Sequence, residues 1–125
     1  MNDCPFCNLA QARIIESNNL GIAIRDAYPV SPGHTLIIPK SHINSFFEAT
    51  ESEKKMLSEL LESAKKKIVE EFNSEAFNIG INDGELAGQT VPHLHIHLIP
   101  RYKNDSQDPR GGVRWIIPNK AKYWK

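Results

Sequence analysis

Hydrophobic positions in this chain form short runs on either side of one long helical pattern. Four of these runs have the length and apolar content of strands: RIIE at 13–16, LGIAIR at 20–25, HTLIIP at 34–39 and EAFNIGIND at 75–83. The turn-forming residues SNN separate the first two runs and predict a hairpin. A fifth run, HLHIHLIP at 93–100, alternates histidine with aliphatic residues. It predicts a strand with apolar side chains on one face and histidines on the other.

The helical pattern lies between the two groups of strands. Thr50 and Glu53 have the spacing of a capping box, which marks a helix N-terminus. Apolar residues then recur at helical spacing, at Met56, Leu57, Leu60, Leu61, Ala64, Ile68 and Phe72. A helix is therefore expected over residues 51–72. Five strands and one main helix predict an α+β domain with a largely antiparallel sheet.

Composition and charge limit what the chain can do. Its 125 residues are 40% hydrophobic, enough to bury one core, which predicts a single domain over residues 1–125. The net charge is zero, but residues 101–125 hold 7 Lys or Arg against 2 Asp or Glu. Residues 102–125, the basic tail, could therefore serve small phosphorylated ligands, while the overall balance argues against binding a nucleic acid polymer. The absence of a secretory signal or a long apolar run predicts a cytoplasmic protein without membrane contacts.

Three histidines, His93, His95 and His97, share one face of the predicted strand. Successive side chains on such a face are about 6.6 Å apart, so three in a row rarely converge on one metal ion, although two can do so with a ligand from elsewhere. Imidazole is neutral near pH 7, and its ring nitrogen can attack phosphorus directly. A metal site and a covalent catalyst therefore both remain open from the residues alone.

Polar residues just upstream of the histidines favour phosphate binding. Asn82, Gly84, Gly88, Gln89 and Thr90 supply amides, a hydroxyl and glycine backbone where an oxyanion can rest.

The stretch from His93 to Ile99 resembles the histidine triad motif, His-φ-His-φ-His-φ-φ with φ aliphatic, of the HIT superfamily of nucleotide hydrolases and transferases. The preceding GQTVP and the segment PGHTLIIPKSHI at 32–43 resemble the family as well, and the likeness extends over roughly residues 4–101. Features of both the Fhit and the Hint branches are present, and the tail is similar to those of bacterial HIT hydrolases. The resemblance implies a HIT-like fold that is usually dimeric.

The same resemblance implies roles for individual residues. His95 would attack the α-phosphate of a nucleotide, purine nucleotides being the expected substrates, to form a nucleotidyl-histidine that water hydrolyses, with no cofactor needed for catalysis. His97 would contact the α-phosphate, and Gln89 and Thr90 would assist the phosphate and the leaving group. Asp26 would accept the ribose hydroxyls, unless it only caps the following turn. His34, Asn82, Gly88 and Gln89 are expected in the nucleotide pocket.

A second site is expected at CPFC, in the N-terminal segment 1–12. Cys4 and Cys7 have zinc-ligand spacing but need two further ligands. The resemblance to HIT proteins that carry such a pair implies His42 and His93, which would complete a structural Zn²⁺ site. A redox pair and two free buried cysteines are the alternatives.

Three functions remain open at this stage. The favoured one is hydrolysis of a dinucleoside polyphosphate at its α-phosphate. The second is hydrolysis of a purine nucleoside phosphoramidate, and the third is nucleotide binding with little turnover. Arg110, Gly111, Gly112 and Arg114 in the basic tail suit the distal phosphates of the first substrate class, whereas Trp115 and Ile116 could instead pack in a dimer interface.

Overall fold

Five strands and one long helix form the architecture of the chain, as expected from the sequence. A computed structural model describes residues 3–125, so Met1 and Asn2 of the predicted N-terminal segment 1–12 lie outside the described residues. The strands are β1 (Ile14–Ser17), β2 (Gly21–Arg25), β3 (Thr35–Pro39), β4 (Ala76–Gly80) and β5 (Ile96–Arg101), and the helices are α1 (Glu51–Phe72) and the short α2 (Pro118–Ala121). Within residues 3–125, no helix combines the length and the apolar character that crossing a membrane requires.

The sheet has the order β1-β2-β3-β5-β4, with antiparallel pairing throughout. The predicted hairpin is β1 and β2, and the largely antiparallel sheet is confirmed. Strand β5 inserts between β3 and β4, so the histidine strand is central instead of lying at an edge. His97 thereby faces Leu36 of β3 on one side and Gly80 of β4 on the other.

Helix α1 begins and ends where the sequence predicts. The Thr50 hydroxyl accepts from the Glu53 amide at 3.0 Å, and the Glu53 carboxylate accepts from the Thr50 amide at 2.9 Å, which satisfies two free N–H groups of the first turn. Asn73 ends the helix in the left-handed conformation with φ 57°. The apolar stripe of α1 buries one face of the sheet, in a core that includes Leu57, Leu60, Ala64, Ile68, Ala23, Ile37, Leu94, Ile96 and Leu98.

The opposite face of the sheet carries the histidines and is here called the histidine face. Because Leu94, Ile96 and Leu98 belong to the core under α1, the intervening histidines point to the other side. Part of the histidine face is covered by a second apolar cluster, made of Ile22, Ile24, Leu36 and Ile38 with Phe6, Leu9 and Ile14 packed against them. The N-terminal segment thus lies beside the histidine row.

The fifth strand begins later than predicted. The ladder starts at Ile96 instead of residue 93, because the preceding residues bond to a loop and to a strand end. The Leu94 amide donates to the Ile43 carbonyl at 2.7 Å, and the His93 ring bonds to the carbonyl of Pro39, where β3 ends, at 2.9 Å. His93 and His95 are therefore held by specific contacts outside the regular sheet.

Candidate functional site

Two cysteines and two histidines converge beside the end of β3. The Nδ1 atom of His93 lies 3.3 Å from Cys4 Sγ and 3.5 Å from Cys7 Sγ. His42 Nδ1 lies 3.2 Å from Cys7 Sγ and 3.1 Å from His93 Nδ1. All four donor atoms lie within 4.8 Å of one another. The structure thus brings together the four ligands that the sequence analysis assigned to a metal.

The geometry of this Cys/His cluster fits a tetrahedral ion. Bond lengths of about 2.0–2.3 Å to zinc place neighbouring ligand atoms of a tetrahedron about 3.3–3.8 Å apart, close to the distances found. The Nε2–H of His93 donates to the Pro39 carbonyl at 2.9 Å, which leaves the Nδ1 lone pair pointing at the cluster. Burial raises the pKa of the Cys4 thiol and lowers the pKa of His93, because it disfavours the charged form of each group. A bound cation would offset this effect at Cys4 by stabilising the thiolate. The cluster is suited to a closed structural site.

His95 is held by the backbone of His93. Its Nδ1–H donates to the His93 carbonyl at 2.8 Å, so the neutral ring carries its proton on Nδ1 and keeps a lone pair on Nε2. The ring is 8% exposed and packs edge-on against Phe6, with centroids 5.0 Å apart. Phe6 also contacts the His93 ring at 5.9 Å. His95 is thus a buried, oriented imidazole with a free nitrogen.

A second chain of contacts fixes the protonation of His34 and His97. The Val30 amide can only donate, and it donates to His34 Nδ1 at 3.0 Å, so the neutral His34 ring carries its proton on Nε2. That Nε2–H lies 3.0 Å from His97 Nδ1 and 3.4 Å from Asp26 Oδ2. His97 therefore accepts at Nδ1 and carries its own proton on Nε2. The His97 ring lies beside His95, with centroids 5.2 Å apart.

Asp26, His34 and His97 also place three donor atoms within 4.8 Å, as a metal site would. The Val30 amide argues against that use, because an imidazole that accepts at Nδ1 needs its proton on Nε2, the nitrogen that would have to bind the ion. Asp26 is oriented by the Tyr28 amide, which donates to its Oδ1 at 2.9 Å. The three residues form a hydrogen-bond relay.

Burial controls the charge of this relay. It lowers the pKa of His34, against a smaller opposing effect of the Asp26 carboxylate. Burial also lowers the pKa of His97, and the neighbouring His95 and His34 lower it further. Both rings are consequently neutral at pH 7, which preserves the donor and acceptor roles described above.

The loop before the triad is built around the side chain of Gln89. Its Oε1 accepts from the Gly84 amide at 2.8 Å, and its Nε2 donates to the carbonyls of Asn44 at 3.0 Å and Val91 at 3.1 Å. In this structure the amide group of Gln89 is therefore bonded to backbone. Gly88 has φ 98° and is exposed, as is Thr90, while Asn82 is half-buried.

Sequence reasoning missed two groups that orient the histidines. Phe6 lies between the two cysteines, and this position carried the only signal that its ring would approach the triad. Val30 acts through its backbone amide, and the type of its side chain gave no signal at all.

Both carboxylates of the basic tail, Asp105 and Asp108, are paired with an arginine. Arg101, at the end of β5, bonds to Asp105 at 2.8 Å and to Asn78 at 2.7 Å, and Arg110 bonds to Asp108 at 3.0 Å. Trp115 donates to the Arg110 carbonyl at 2.8 Å and folds the tail back on itself. Gly111 has φ 91° at this turn.

Known proteins share both the fold and the sequence pattern. The sequence profile of the HIT domain family matches residues 9–104. The asymmetrical bis(5'-nucleosyl)-tetraphosphatase of Schizosaccharomyces pombe is 40% identical over 97 residues, covering 75% of this chain and 52% of that protein. Adenylylsulfatase HINT3 of Arabidopsis thaliana is 34% identical over 108 residues, covering 83% of this chain and 55% of that protein. This chain thus spans about half the length of these two relatives.

A solved structure resembles the chain over most of its length. The crystal structure of a Zn-bound histidine triad family protein from Mycobacterium smegmatis superposes with a TM-score of 0.76 and 31% identity, covering 85% of this chain and 80% of that one.

Acid is expected to destabilise the fold through His34. Because burial lowers its pKa in the folded protein, the unfolded chain takes up the proton first as the pH falls below about 6.5. The stability contribution of the neutral ring is therefore complete above that pH and declines as the pH falls toward the lowered value. Thermal unfolding of the wild type and of His34→Gln between pH 7.5 and 5 should give a steeper loss of Tm in the wild type. An equal loss of Tm with falling pH in the two proteins would contradict a lowered pKa of His34 in the folded state.

Proposed function

This chain belongs to the HIT domain family, and on that premise we propose that it is a nucleotide hydrolase acting at an α-phosphate. The hydrogen bond from His95 Nδ1 to the His93 carbonyl carries the proposal, because it leaves Nε2 as a buried nucleophile of fixed direction. Similarity to a bis(5'-nucleosyl)-tetraphosphatase supports a dinucleoside polyphosphate as the substrate.

Two displacements at phosphorus make up the proposed reaction. His95 Nε2 forms a bond to the α-phosphorus while the bond from phosphorus to the leaving-group oxygen breaks and its electron pair leaves with that oxygen. The positive charge on the imidazole is stabilised by the His93 carbonyl at 2.8 Å from Nδ1. Water then attacks the phosphorus of the nucleotidyl-histidine, loses a proton, and displaces His95. The product is a nucleoside monophosphate.

His97 and Asp26 have supporting roles in this proposal. His97 carries its proton on Nε2 because His34 donates to its Nδ1, so that it is a neutral donor for an α-phosphate oxygen or for the leaving group. Asp26 accepts ribose hydroxyls, and its carboxylate is already oriented by the Tyr28 amide. His34 lies between them and keeps both side chains in place.

The loop at residues 82–92 would bound the phosphate site. Thr90 is exposed, and its hydroxyl is the proposed donor toward the leaving group. Gln89 holds the loop to Asn44, so we assign it to the shape of the site as well as to phosphate binding. Backbone at Gly88 and the amide of Asn82 are the remaining proposed contacts. A purine base would rest against half-buried Phe6, Leu9 and Ile14, because its two rings cover more apolar surface than a pyrimidine.

A second candidate substrate is a nucleotide with a small leaving group, such as a purine nucleoside phosphoramidate. Similarity to an adenylylsulfatase favours it, since both kinds of substrate carry one nucleoside and a small group on the same phosphorus. His95 would attack the phosphorus of either substrate, but with a phosphoramidate the P–N bond breaks and the departing nitrogen takes up a proton from solvent. A binding protein with little turnover is the non-enzymatic alternative, and it predicts no release of nucleoside monophosphate.

We further propose that the Cys/His cluster binds one structural Zn²⁺ through Cys4, Cys7, His42 and His93. The Zn-bound relative supports this choice of metal. Four protein ligands would close the coordination sphere, so the ion would supply folding energy and hold the N-terminal segment against the sheet.

Three further proposals concern the whole protein. Residues 1–125 would form one domain with the basic tail at its end, and reduced thiols at Cys4 and Cys7 would suit a cytoplasmic protein. A homodimer would bury an apolar groove at the edge strand β4. The groove is lined mainly by Phe46, Leu57, Leu61, Ile79, Ile81 and Ile96, with Lys54, Ser58 and Gly80 at its border, and Ile79 is 50% exposed.

His95→Asn is expected to abolish release of AMP from diadenosine tetraphosphate and from adenosine phosphoramidate in the presence of a chelator. Asparagine has no nucleophilic ring nitrogen, so kcat should fall by about 10³-fold or more. Lys66→Asn, which introduces the same residue at an exposed position of α1 on the other side of the sheet, is the control and should keep the wild-type rate. Equal rates for wild type and His95→Asn would refute covalent catalysis.

Protein purified without an affinity tag is expected to contain about one zinc per chain, and Cys4→Ser is expected to lose it. Chelation should lower the Tm of the wild type but not of Cys4→Ser, because a ligand at a hundred times its Kd stabilises the folded state by about 2.7 kcal/mol. A wild type without zinc and with a Tm insensitive to chelator would exclude the site.

Light scattering is expected to give twice the chain mass for the wild type and the chain mass for Ile79→Lys, because a lysine at the groove would bury an unpaired charge in the dimer. Leu86→Lys makes the same change at a fully exposed position outside the groove and should remain dimeric. A monomeric wild type at micromolar concentration would overturn the dimer proposal.

A further inference from the structure

A second concave site lies on the histidine face, beyond the triad. It is a cavity of about 520 Å³ between the end of β5 and the basic tail, lined by Arg101, Ser106, Gln107, Asp108, Pro109, Gly112, Trp115 and Lys122. In the register of β4 and β5, Gly80 faces His97 and Asn78 faces Ile99, and these side chains alternate with those that enter the core. Asn78 therefore points to the histidine face, where its amide oxygen accepts from Arg101 at 2.7 Å.

Gly80 leaves the path between the two sites open. A Cβ atom added at Gly80 would meet nothing within 4 Å, so the space next to His97 on the histidine face is unfilled. Asn78 is the diagonal neighbour of His97 across the two strands, and such pairs are about 7–8 Å apart. On the far side, Gly112 approaches the Asn78 amide so closely that a Cβ there would lie 3.1 Å from its nitrogen.

The lining of the tail cavity has the chemistry of a nucleoside site. Trp115 and Pro109 offer flat apolar surfaces, and Trp115 is 38% exposed, so that its ring is open to stacking by a base. Ser106 and Gln107 offer hydrogen-bond donors and acceptors. Arg101 borders the cavity at the sheet end, where it is paired with Asp105 and Asn78, and Asp108 is paired with Arg110. Lys122 is the second cation of the lining. A stacking surface, polar side chains and Lys122 in one cavity match the base and phosphate groups of a nucleotide.

We infer that this tail cavity binds the second nucleoside of a dinucleoside polyphosphate, the half that departs with the leaving phosphates. The inference rests on the proposed function, in which His95 acts on the α-phosphate of the first nucleoside. The basic tail would then distinguish substrates with two nucleosides from nucleotides that carry a small leaving group. A mononucleotide would occupy the triad side alone and would make no contact with Trp115.

Equilibrium binding to a protein that cannot turn over the ligand tests this inference. Calorimetric titration of His95→Asn with diadenosine tetraphosphate and with AMP should give a Kd about tenfold lower for the tetraphosphate, the size expected of one base stacked on an aromatic side chain. A second substitution in this protein, Trp115→Ala, should abolish the difference between the two Kd values and leave the Kd of AMP unchanged. Adding Ile116→Ala, which changes the exposed neighbour outside the cavity, should preserve that difference.

Two further variants separate binding from folding of the tail. Trp115→Phe keeps an aromatic ring for stacking but loses the hydrogen bond to the Arg110 carbonyl, and it should keep most of the difference in Kd between the tetraphosphate and AMP. Gly80→Val fills the space beside His97 and should reduce that difference without changing the tail. Tetraphosphate binding no tighter than AMP in His95→Asn, or an advantage that survives both Trp115→Ala and Gly80→Val, would overturn the tail site. Failure of AMP itself to bind would instead contradict the proposed nucleotide site and, with it, the tail site.

Discussion

His93 is the residue on which the rest of the site depends, because its ring and its backbone serve different neighbours. The ring nitrogen Nδ1 faces the two cysteines and His42, and Nε2 is anchored to the Pro39 carbonyl at the end of β3. The carbonyl of the same residue fixes His95 at 2.8 Å. Any shift of the Cys/His cluster would move the hydrogen-bond acceptor of the proposed nucleophile. The Cys/His cluster and the histidine row are thus mechanically linked through His93, and Phe6 adds an edge-on contact with the rings of His93 and His95.

The strand order gives this unit its surroundings. Because β5 lies between β3 and β4, His97 at the end of the histidine row has a paired strand on both sides. Apolar residues of β2 and β3 lie on one side with the N-terminal segment, while Gly80, Asn78 and the basic tail lie on the other. A nucleotide bound at the triad would accordingly meet apolar surface for a base on one side and an open, partly basic path on the other. Helix α1 packs on the opposite face.

Much of this organisation was predictable from local patterns. Short-range interactions determine where α1 begins and ends, and the capping box at Thr50 and the helical stripe predict its observed bounds. The alternation in HLHIHLIP likewise predicts which side chains share a face. The pairing of Cys4 and Cys7 with His42 and His93 required the family resemblance, since sequence spacing alone does not reveal which distant side chains meet. The relay from Val30 through His34 to His97, the late start of β5 at Ile96 and the backbone bonds of Gln89 could not be predicted, because they depend on the positions of individual amides and carbonyls.

The hydrogen bonds of the fold set the tautomers of His34, His93, His95 and His97, and with them the identity of the proposed nucleophile. Nitrogen-15 NMR of histidine-labelled protein at pH 7.5 measures this directly, because protonated and unprotonated ring nitrogens have well-separated shifts. His95 is expected to carry its proton on Nδ1, with Nε2 unprotonated, whereas His34, His93 and His97 are expected to carry theirs on Nε2. A His95 ring protonated on Nε2 would contradict its role as the nucleophile, because the attacking nitrogen would have no lone pair.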